Sequence, residues 1–187
     1  MRLNDGEVVS LLGPSGCGKT TLLKLASGIA KLQKGEIKLN DKIISSSNTH
    51  LSPDKRKVGY VFQDCALFPH LTILQNIFFG MNNKEISAQT NKIKNLMNEI
   101  NISRLSESYP HELSGGQQQQ VALVRAIASD PKIILLDEPY SNLDSRLKEK
   151  IRDQMLHILR EHNISALLVT HDPEEAMFMS DKIGVLN

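Results

Sequence analysis

The stretch Gly13–Thr20, GPSGCGKT, decides the fold of this chain. It matches the pattern GxxxxGK[ST] and lies between the apolar run EVVSLL at residues 7–12 and apolar residues at helical spacing that begin at Leu22. In a strand, loop and helix of this kind, glycines let successive backbone N–H groups point at phosphate oxygens, and the helix adds the positive end of its dipole. Lys19 is expected to reach the β- and γ-phosphates, and Thr20 to place its hydroxyl on magnesium. A merely flexible glycine turn is the alternative, which the flanking strand and helix disfavour.

The composition is that of an ordinary folded domain. The 187 residues are 40% hydrophobic and 23% charged, which excludes disordered, collagen-like and coiled-coil classes. Lys plus Arg number 22 against 21 Asp plus Glu, so no net field attracts nucleic acid or an anionic membrane. The longest purely apolar runs have four residues, so no segment is expected to cross a membrane. Cys17 and Cys65 lack CxxC spacing and the six histidines lack metal-ligand spacing, so neither a disulfide nor a structural metal is expected.

Short apolar runs alternate with helical patterns along the chain. Strands are predicted at residues 7–12, 35–39, 42–44, 58–62, 133–136, 165–169 and 183–186. Helices are predicted after residue 19 and over residues 84–100, 121–127, 147–159 and 173–179. Strands that are hydrophobic on both faces and alternate with helices indicate an α/β fold, a mostly parallel sheet flanked by helices.

Two carboxylates follow the apolar run at residues 133–136. Asp137 fits a metal-binding carboxylate, because the carboxyl end of a buried central strand opens where ligands bind in α/β sheets. Glu138 comes next and could polarise an attacking water molecule. Alone, such an acidic pair is more often a solvated strand end, but together with the phosphate-binding loop it favours a catalytic site.

The motif LSGGQ at Leu113–Gln117 makes the chain resemble the ATP-binding cassette (ABC) ATPases of membrane transporters, over nearly its whole length. Ser114, Gly115 and Gly116 offer a hydroxyl and unobstructed backbone N–H groups at a helix start, which is a second phosphate-binding surface. In the family, the signature motif of one subunit closes over ATP that the phosphate-binding loop of the other subunit holds. The resemblance therefore implies a head-to-tail dimer, here a homodimer, with two ATP molecules at its interface.

The resemblance also implies the roles of individual residues. Glu138 activates water, His171 is the switch histidine at the γ-phosphate, and Gln63 is the Q-loop glutamine that contacts magnesium and water. Ser141–Asp144, SNLD, resembles the D-loop that signals across the dimer. The implied Mg²⁺ contacts are Thr20, Gln63 and Asp137. The implied ATP contacts are Gly13, Pro14, Ser15, Gly16, Cys17, Gly18, Lys19, Thr20, Thr21, Ser114, Gly115, Gly116, Gln117 and Asp144.

The resemblance further implies one ATPase domain over residues 1–187 with the fold of P-loop NTPases. Its core is expected at residues 1–64 and 119–187, with an inserted helical subdomain at about 65–118 that carries the signature motif. The N-terminal strands of the family, with their adenine-stacking aromatic residue, are expected to be missing, because only twelve residues precede Gly13 and none is aromatic. The chain also stops at Asn187, where family members continue. Gln120 stands where family members commonly have arginine, and we expect activity to survive this change.

Two stretches resemble the cassettes of bacterial importers: residues 64–80, DCALFPHLTILQNIFFG, and residues 171–187. These importers take up ferric iron, polyamines, maltose-type sugars or molybdate and sulfate, and the resemblance favours ferric iron. The implied partners are a second ABC ATPase subunit, integral membrane permease subunits and, indirectly, a substrate-binding protein, without nucleic acid. The implied location is peripheral, on the cytoplasmic side of the bacterial inner membrane. Phe68, Leu71 and Ile73 either form a groove for a cytoplasmic loop of the permease or belong to the subdomain core.

Two other classes of function are considered. A DNA-repair or chromosome-associated cassette needs a long coiled coil or a zinc hook, and the 92 residues between Thr20 and Leu113 contain neither heptads nor a CxxC motif. A truncated, catalytically impaired cassette fragment, acting only as a binding partner, is the remaining alternative.

Overall fold

A five-stranded, fully parallel sheet lies at the centre of the computed structural model, which describes residues 1–141 and 143–187. Its strands are β1 (Val8–Leu12), β4 (Val58–Val61), β5 (Ile133–Asp137), β6 (Ser165–Thr170) and β7 (Lys182–Val185), in the order β4-β5-β6-β1-β7. A separate antiparallel hairpin consists of β2 (Glu36–Leu39) and β3 (Lys42–Ser46). The helices are α1 (Lys19–Ser27), α2 (Ile73–Ile77), α3 (Asn83–Glu99), α4 (Gly115–Ala128), α5 (Ser145–Glu161) and α6 (Pro173–Met179).

The two faces of the sheet are buried by different helices, because successive side chains of a strand point to opposite sides. On one face, Leu135, Leu167 and Val169 pack against Leu23 of α1. The other face belongs to the larger core, which includes the buried apolar residues of α3, α4 and α5. This double coverage explains why β5 and β6 are continuous apolar runs, and it confirms the predicted α/β sheet flanked by helices.

The strand register brings several loops to one edge of the sheet. Leu12 at the end of β1 pairs with Thr170 at the end of β6, and Asp137 at the end of β5 pairs with Val169. The backbone N–H of Gly13 donates to the Thr170 carbonyl at 3.4 Å. The segments that follow β1, β5 and β6 therefore start side by side, at the edge where α/β sheets bind ligands.

The segment between β4 and α4 contains α2, α3 and short 3-10 turns, which pack mainly on α4. Buried Asn76 of α2 holds the preceding loop: its side chain accepts from the Phe68 N–H and donates to the carbonyls of Phe68, Leu71 and Thr72. The assignment of about 65–118 to a helical subdomain stays a prediction. Among the described residues, no helix is long and apolar enough to cross a bilayer.

The predicted elements are confirmed in type, but capping residues move several of their ends. The apolar spacing at 121–127 marks only part of its helix, which begins at Gly115, the helix start expected at the signature motif, where Ser114 and Gln117 form a capping box. The helix predicted from residue 147 begins at Ser145, because Asp144 caps it. The helix α2 was not predicted, although Thr72 and Gln75 form a capping box that would have marked its start.

Candidate functional site

The loop between β1 and α1 faces open space. Gly16 and Gly18 have φ angles of 86° and 97°, and no atom of the described residues lies within 4 Å of a Cβ added at either position. No described side chain caps the start of α1, so its first N–H groups are left to an external acceptor. Backbone N–H groups at an uncapped helix start suit an anion. Pro14, Ser15 and Thr21 are exposed around this opening, and Cys17 is half-buried in it.

The Lys19 ammonium is held inside the loop. Lys19 is only 5% exposed, and its Nζ donates to the carbonyl oxygens of Gly13 at 2.7 Å and Pro14 at 2.9 Å. Both acceptors are neutral, so the charge of Lys19 is not neutralised by these bonds. An anion entering the loop would be the stronger acceptor for this ammonium, since it adds the attraction of opposite charges to the hydrogen bond.

The Thr20 hydroxyl and the Asp137 carboxylate meet across the edge of the sheet. Thr20 Oγ1 donates to Asp137 Oδ1 at 2.9 Å, and Asp137 is 5% exposed. A hydroxyl and a carboxylate beside a phosphate-binding loop are the oxygen ligands that Mg²⁺ prefers, so these residues fit the predicted metal. Gln63 lies in the turn after β4, at the same edge, and is exposed. Tyr60 Oη also donates to Asp137, at 2.9 Å from Oδ2, a contact that the sequence reasoning missed.

Glu138 and His171 approach each other from neighbouring strand ends. The Nδ1 of His171 lies 3.1 Å from Oε2 of Glu138. Glu138 has a left-handed φ of 44°, and its N–H donates to the Val169 carbonyl at 3.0 Å. Its own carbonyl accepts from the N–H and the hydroxyl of Ser141. These hydrogen bonds at its N–H and its carbonyl hold Glu138 in a rare backbone conformation, in which its carboxylate lies beside the imidazole. Such conformations concentrate at functional sites.

A polar network fixes the segment that carries His171. The hydroxyl of Thr170 donates to Glu175 Oε2 and accepts from the Asp172 N–H. Lys148 of α5 forms ion pairs with Glu175 at 2.6 Å and with Asp172 at 2.5 Å. Hydrogen bonding to Lys148 lowers the pKa of Asp172. The network anchors the residues on both sides of His171 to α5 and α6.

Lys148→Ala is expected to lower the free energy of unfolding by about 2 kcal/mol, because it leaves the buried Glu175 carboxylate without a cation. The loss will depend on pH. Asp172 has a lowered pKa in the folded protein, so its stabilising contribution is present above the unfolded value of about 4 and is lost as the pH falls through the folded value. Urea unfolding at neutral pH and below about pH 4 will measure both effects.

Lys150→Ala is the matched control, because Lys150 is exposed on the same helix. It should change the free energy of unfolding by less than about 0.5 kcal/mol. Equal losses in the two variants, or a Lys148→Ala loss that is independent of pH, would contradict the role given to the network.

The signature residues lie in a second group, at the start of α4. Ser114 Oγ accepts from the Gln117 N–H at 3.4 Å, which leaves its hydroxyl hydrogen available to an external acceptor. Gly116 packs against Leu147 so closely that an added Cβ would lie 3.0 Å from a Leu147 methyl carbon. The start of α4 therefore sits directly on the start of α5, where Asp144 Oδ1 accepts from the Leu147 N–H. Asn142, the remaining polar residue of the predicted D-loop, lies outside the described residues.

Gln120, at the position where family members commonly have arginine, makes contacts of its own. Its Nε2 donates to Gln154 Oε1 at 2.8 Å and to the Ile100 carbonyl at 3.3 Å. It thereby ties α4 to α5 and to the end of α3 without a charge. The expectation that activity survives with Gln120 stays a prediction.

The three apolar residues considered for a permease groove, Phe68, Leu71 and Ile73, differ in their exposure. Ile73 is fully buried in the core, so it cannot line an open groove. Phe68 is half-buried, and its ring packs at 4.1 Å from the ring of Phe79, which is exposed. Leu71 is half-buried in the loop that Asn76 holds.

A parallel α/β sheet with a phosphate-binding loop, paired acidic residues and a histidine at one edge defines a P-loop nucleotide-binding domain. Residues 1–141 match the protein family described as ABC transporter. The chain therefore belongs to the ABC transporter family of ATP-binding cassettes, as the sequence resemblance predicted.

Two curated relatives are named as import ATP-binding proteins. The Fe(3+) ions import ATP-binding protein FbpC 2 of Haemophilus influenzae is 45% identical over 186 residues, which are 98% of this chain and 52% of that protein. The sulfate/thiosulfate import ATP-binding protein CysA of Pseudomonas syringae pv. tomato is 40% identical over 191 aligned residues, covering 99% of this chain and 57% of that protein. The chain spans about half the length of the curated relatives it matches.

Two solved structures share the fold. The dimeric structure of a post-hydrolysis state of the ATP-binding cassette MJ0796, bound to ADP and Pi, matches with a TM-score of 0.80 and 33% identity, over 100% of this chain and 84% of that chain. The structure of cbiO1 from Clostridium perfringens, part of the ABC transporter complex cbiONQ, matches with a TM-score of 0.86 and 29% identity, over 100% of this chain and 76% of that chain.

Proposed function

We propose that this chain is the ATP-binding and ATP-hydrolysing subunit of a bacterial importer. The observation that carries this proposal is the contact of 3.1 Å between Glu138 and His171 at the sheet edge where Lys19, Thr20 and Asp137 also converge. This arrangement places a candidate base, a candidate phosphate-binding histidine and a metal-binding pair beside a loop built for phosphates. Hydrolysis of a nucleoside triphosphate uses each of these parts.

In the proposed reaction, water attacks the γ-phosphorus of ATP while the bond from that phosphorus to the bridging oxygen breaks. Glu138 orients the water and takes its proton. His171 contacts the γ-phosphate and the Glu138 carboxylate and so fixes their relative position. Lys19 exchanges its two backbone carbonyl partners for phosphate oxygens and so stabilises the negative charge of the transition state. Thr20, Gln63 and Asp137 would hold Mg²⁺, which supplies positive charge to the β- and γ-phosphate oxygens when it is bound.

The signature residues support a head-to-tail homodimer. Ser114 and Gly115 are exposed at the start of α4, where Ser114 pairs with Gln117 of the same helix and Gly116 packs against Leu147 of α5. The start of α4 is therefore a second phosphate-binding surface, separate from the loop at Gly13–Thr20, and it can bind the nucleotide that a partner subunit holds. The dimeric state of the MJ0796 cassette, which shares this fold, is consistent with that assembly. In this proposal, closure of the dimer on ATP and its opening after hydrolysis drive a membrane permease between two states.

The cargo that we propose is ferric iron. The Haemophilus influenzae relative named for Fe(3+) import is 45% identical, and the Pseudomonas syringae relative named for sulfate/thiosulfate import is 40% identical. We place the chain on the cytoplasmic side of the inner membrane, bound to permease subunits that receive cargo from a substrate-binding protein. Uptake of radiolabelled ferric iron and of sulfate by cells that lack this chain will distinguish the two cargoes, and a loss of sulfate uptake alone would overturn the iron assignment.

An assay of phosphate release from ATP tests the proposed activity. The purified chain should release phosphate in the presence of Mg²⁺, and the release should stop when the metal is chelated. The same assay on a chain extended upstream tests the alternative of an impaired fragment. Binding of ATP without any phosphate release by either protein would overturn the catalytic proposal and favour the fragment that acts only as a binding partner.

A further inference from the structure

Both oxygens of the Asp137 carboxylate are bound by hydroxyl groups. Thr20 Oγ1 donates to Oδ1 and Tyr60 Oη donates to Oδ2, each at 2.9 Å. Asp137 is 5% exposed, and in the described part of the chain it forms no ion pair. The orientation of this buried carboxylate therefore depends on these two hydrogen bonds, since a buried charge needs such partners.

The strand register explains why Tyr60 reaches this carboxylate. Tyr60 of β4 pairs with Leu135 of β5, and Asp137 lies two residues further along β5, so its side chain is on the same face as that of Leu135. The Tyr60 ring stacks on Phe62, with centroids 4.2 Å apart and planes inclined by 25°. The Tyr60 hydroxyl is the donor in this contact, because an ionised carboxylate can only accept.

We propose that Tyr60 is the positioning residue for the metal-binding carboxylate. The inference rests on the proposed function, because it assumes that Asp137 and Thr20 bind Mg²⁺. Thr20 Oγ1, which donates to Oδ1, is itself a candidate metal ligand, so Thr20 serves the metal as well as the carboxylate. Tyr60 uses the other carboxylate oxygen, so it keeps Asp137 oriented with and without the metal and leaves Oδ1 turned toward Thr20.

The test compares nucleotide affinity with and without the metal in Tyr60→Phe, which keeps the stacked ring and removes only the hydroxyl. Binding of ADP is measured by calorimetry in EDTA and in Mg²⁺. Tyr60→Phe should leave the affinity in EDTA unchanged and reduce the gain in affinity that Mg²⁺ gives by about tenfold, because a hydrogen bond to a charged group is lost. Tyr109→Phe is the control, since Tyr109 is exposed and remote from Asp137 in the contacts described.

A double-mutant comparison separates positioning from packing. In an Asp137→Asn background, Tyr60→Phe should cause no further loss of the Mg²⁺ effect, because the carboxylate that Tyr60 orients is already absent. A further loss there would show that Tyr60 acts through packing and would overturn the inference. An unchanged Mg²⁺ effect in Tyr60→Phe alone, with normal binding by the wild-type chain, would overturn it and leave the proposed function intact. Failure of the wild-type chain to bind ADP under any condition would overturn both.

The contact also has a spectroscopic signature that needs no nucleotide. The chain has three tyrosines and no tryptophan, so its near-ultraviolet absorption above the phenylalanine bands reports the tyrosines. Asp137→Asn should shift this spectrum by changing the acceptor of the Tyr60 hydroxyl, and the shift should disappear when Tyr60→Phe is added. An equal shift in both backgrounds would show that the hydroxyl of Tyr60 does not contact Asp137.

Discussion

Glu138→Gln is expected to lower kcat for ATP hydrolysis by about 100-fold or more while ATP binding persists. Glutamine keeps the shape of the side chain, but its amide cannot take the proton of the attacking water. The contact with His171 Nδ1, at 3.1 Å in the wild-type chain, can persist through the amide oxygen if the ring nitrogen donates. ATP should then remain bound, so the variant should accumulate as an ATP-loaded dimer. Steady-state phosphate release and gel filtration with and without ATP will measure the two effects.

Glu174→Gln is the matched control for this experiment. Glu174 is exposed in the first turn of α6 and precedes Glu175, which belongs to the ion-pair network around Lys148. Its variant should hydrolyse ATP at the wild-type rate and elute as the wild-type chain does. A Glu138→Gln variant that retained most of its activity would show that another group accepts the proton, and the catalytic role of Glu138 would be wrong.

Lys19→Ala is expected to weaken ATP binding by about 100-fold, which corresponds to about 2.7 kcal/mol. The ammonium of Lys19 is the cation at the centre of the loop, and alanine leaves the β- and γ-phosphates with backbone N–H donors alone. Fluorescence titration with a labelled ATP analogue will measure the loss. Lys24→Ala on the exposed side of the same helix should bind ATP as the wild-type chain does. Equal affinities in the two variants would remove Lys19 from the binding site.

The fold was predictable because its main signals are local. The glycines before Lys19 and Thr20 predict a phosphate-binding loop, and short apolar runs between helical patterns, such as residues 133–136, favour buried strands. The start of α5 was predicted less accurately, since its capping residue Asp144 acts over a single helical turn, whereas Ser114 marked the start of α4. Asp144 does, however, leave a visible pattern that could have placed the start of α5.

The supporting contacts of the site were not predictable in the same way. Tyr60 and Asp137 are 77 positions apart, and only the register of β4 on β5 brings them together. Lys148 and Glu175 look like exposed charges on two amphipathic helices, yet Glu175 is 3% exposed and depends on Lys148. Nothing in the local sequence distinguishes a buried carboxylate of this kind from a solvated one, because the distinction is made by tertiary packing.

At Glu138, the residue that the backbone conformation favours differs from the residue that the proposed chemistry requires. At a φ of 44°, glycine would be the favoured residue, and an ordinary L-residue there costs about 1 kcal/mol. Only a residue with a carboxylate, however, can meet His171 and accept a proton. Selection for stability alone would therefore favour replacing Glu138 by glycine. Selection for ATP turnover would instead keep a carboxylate at position 138.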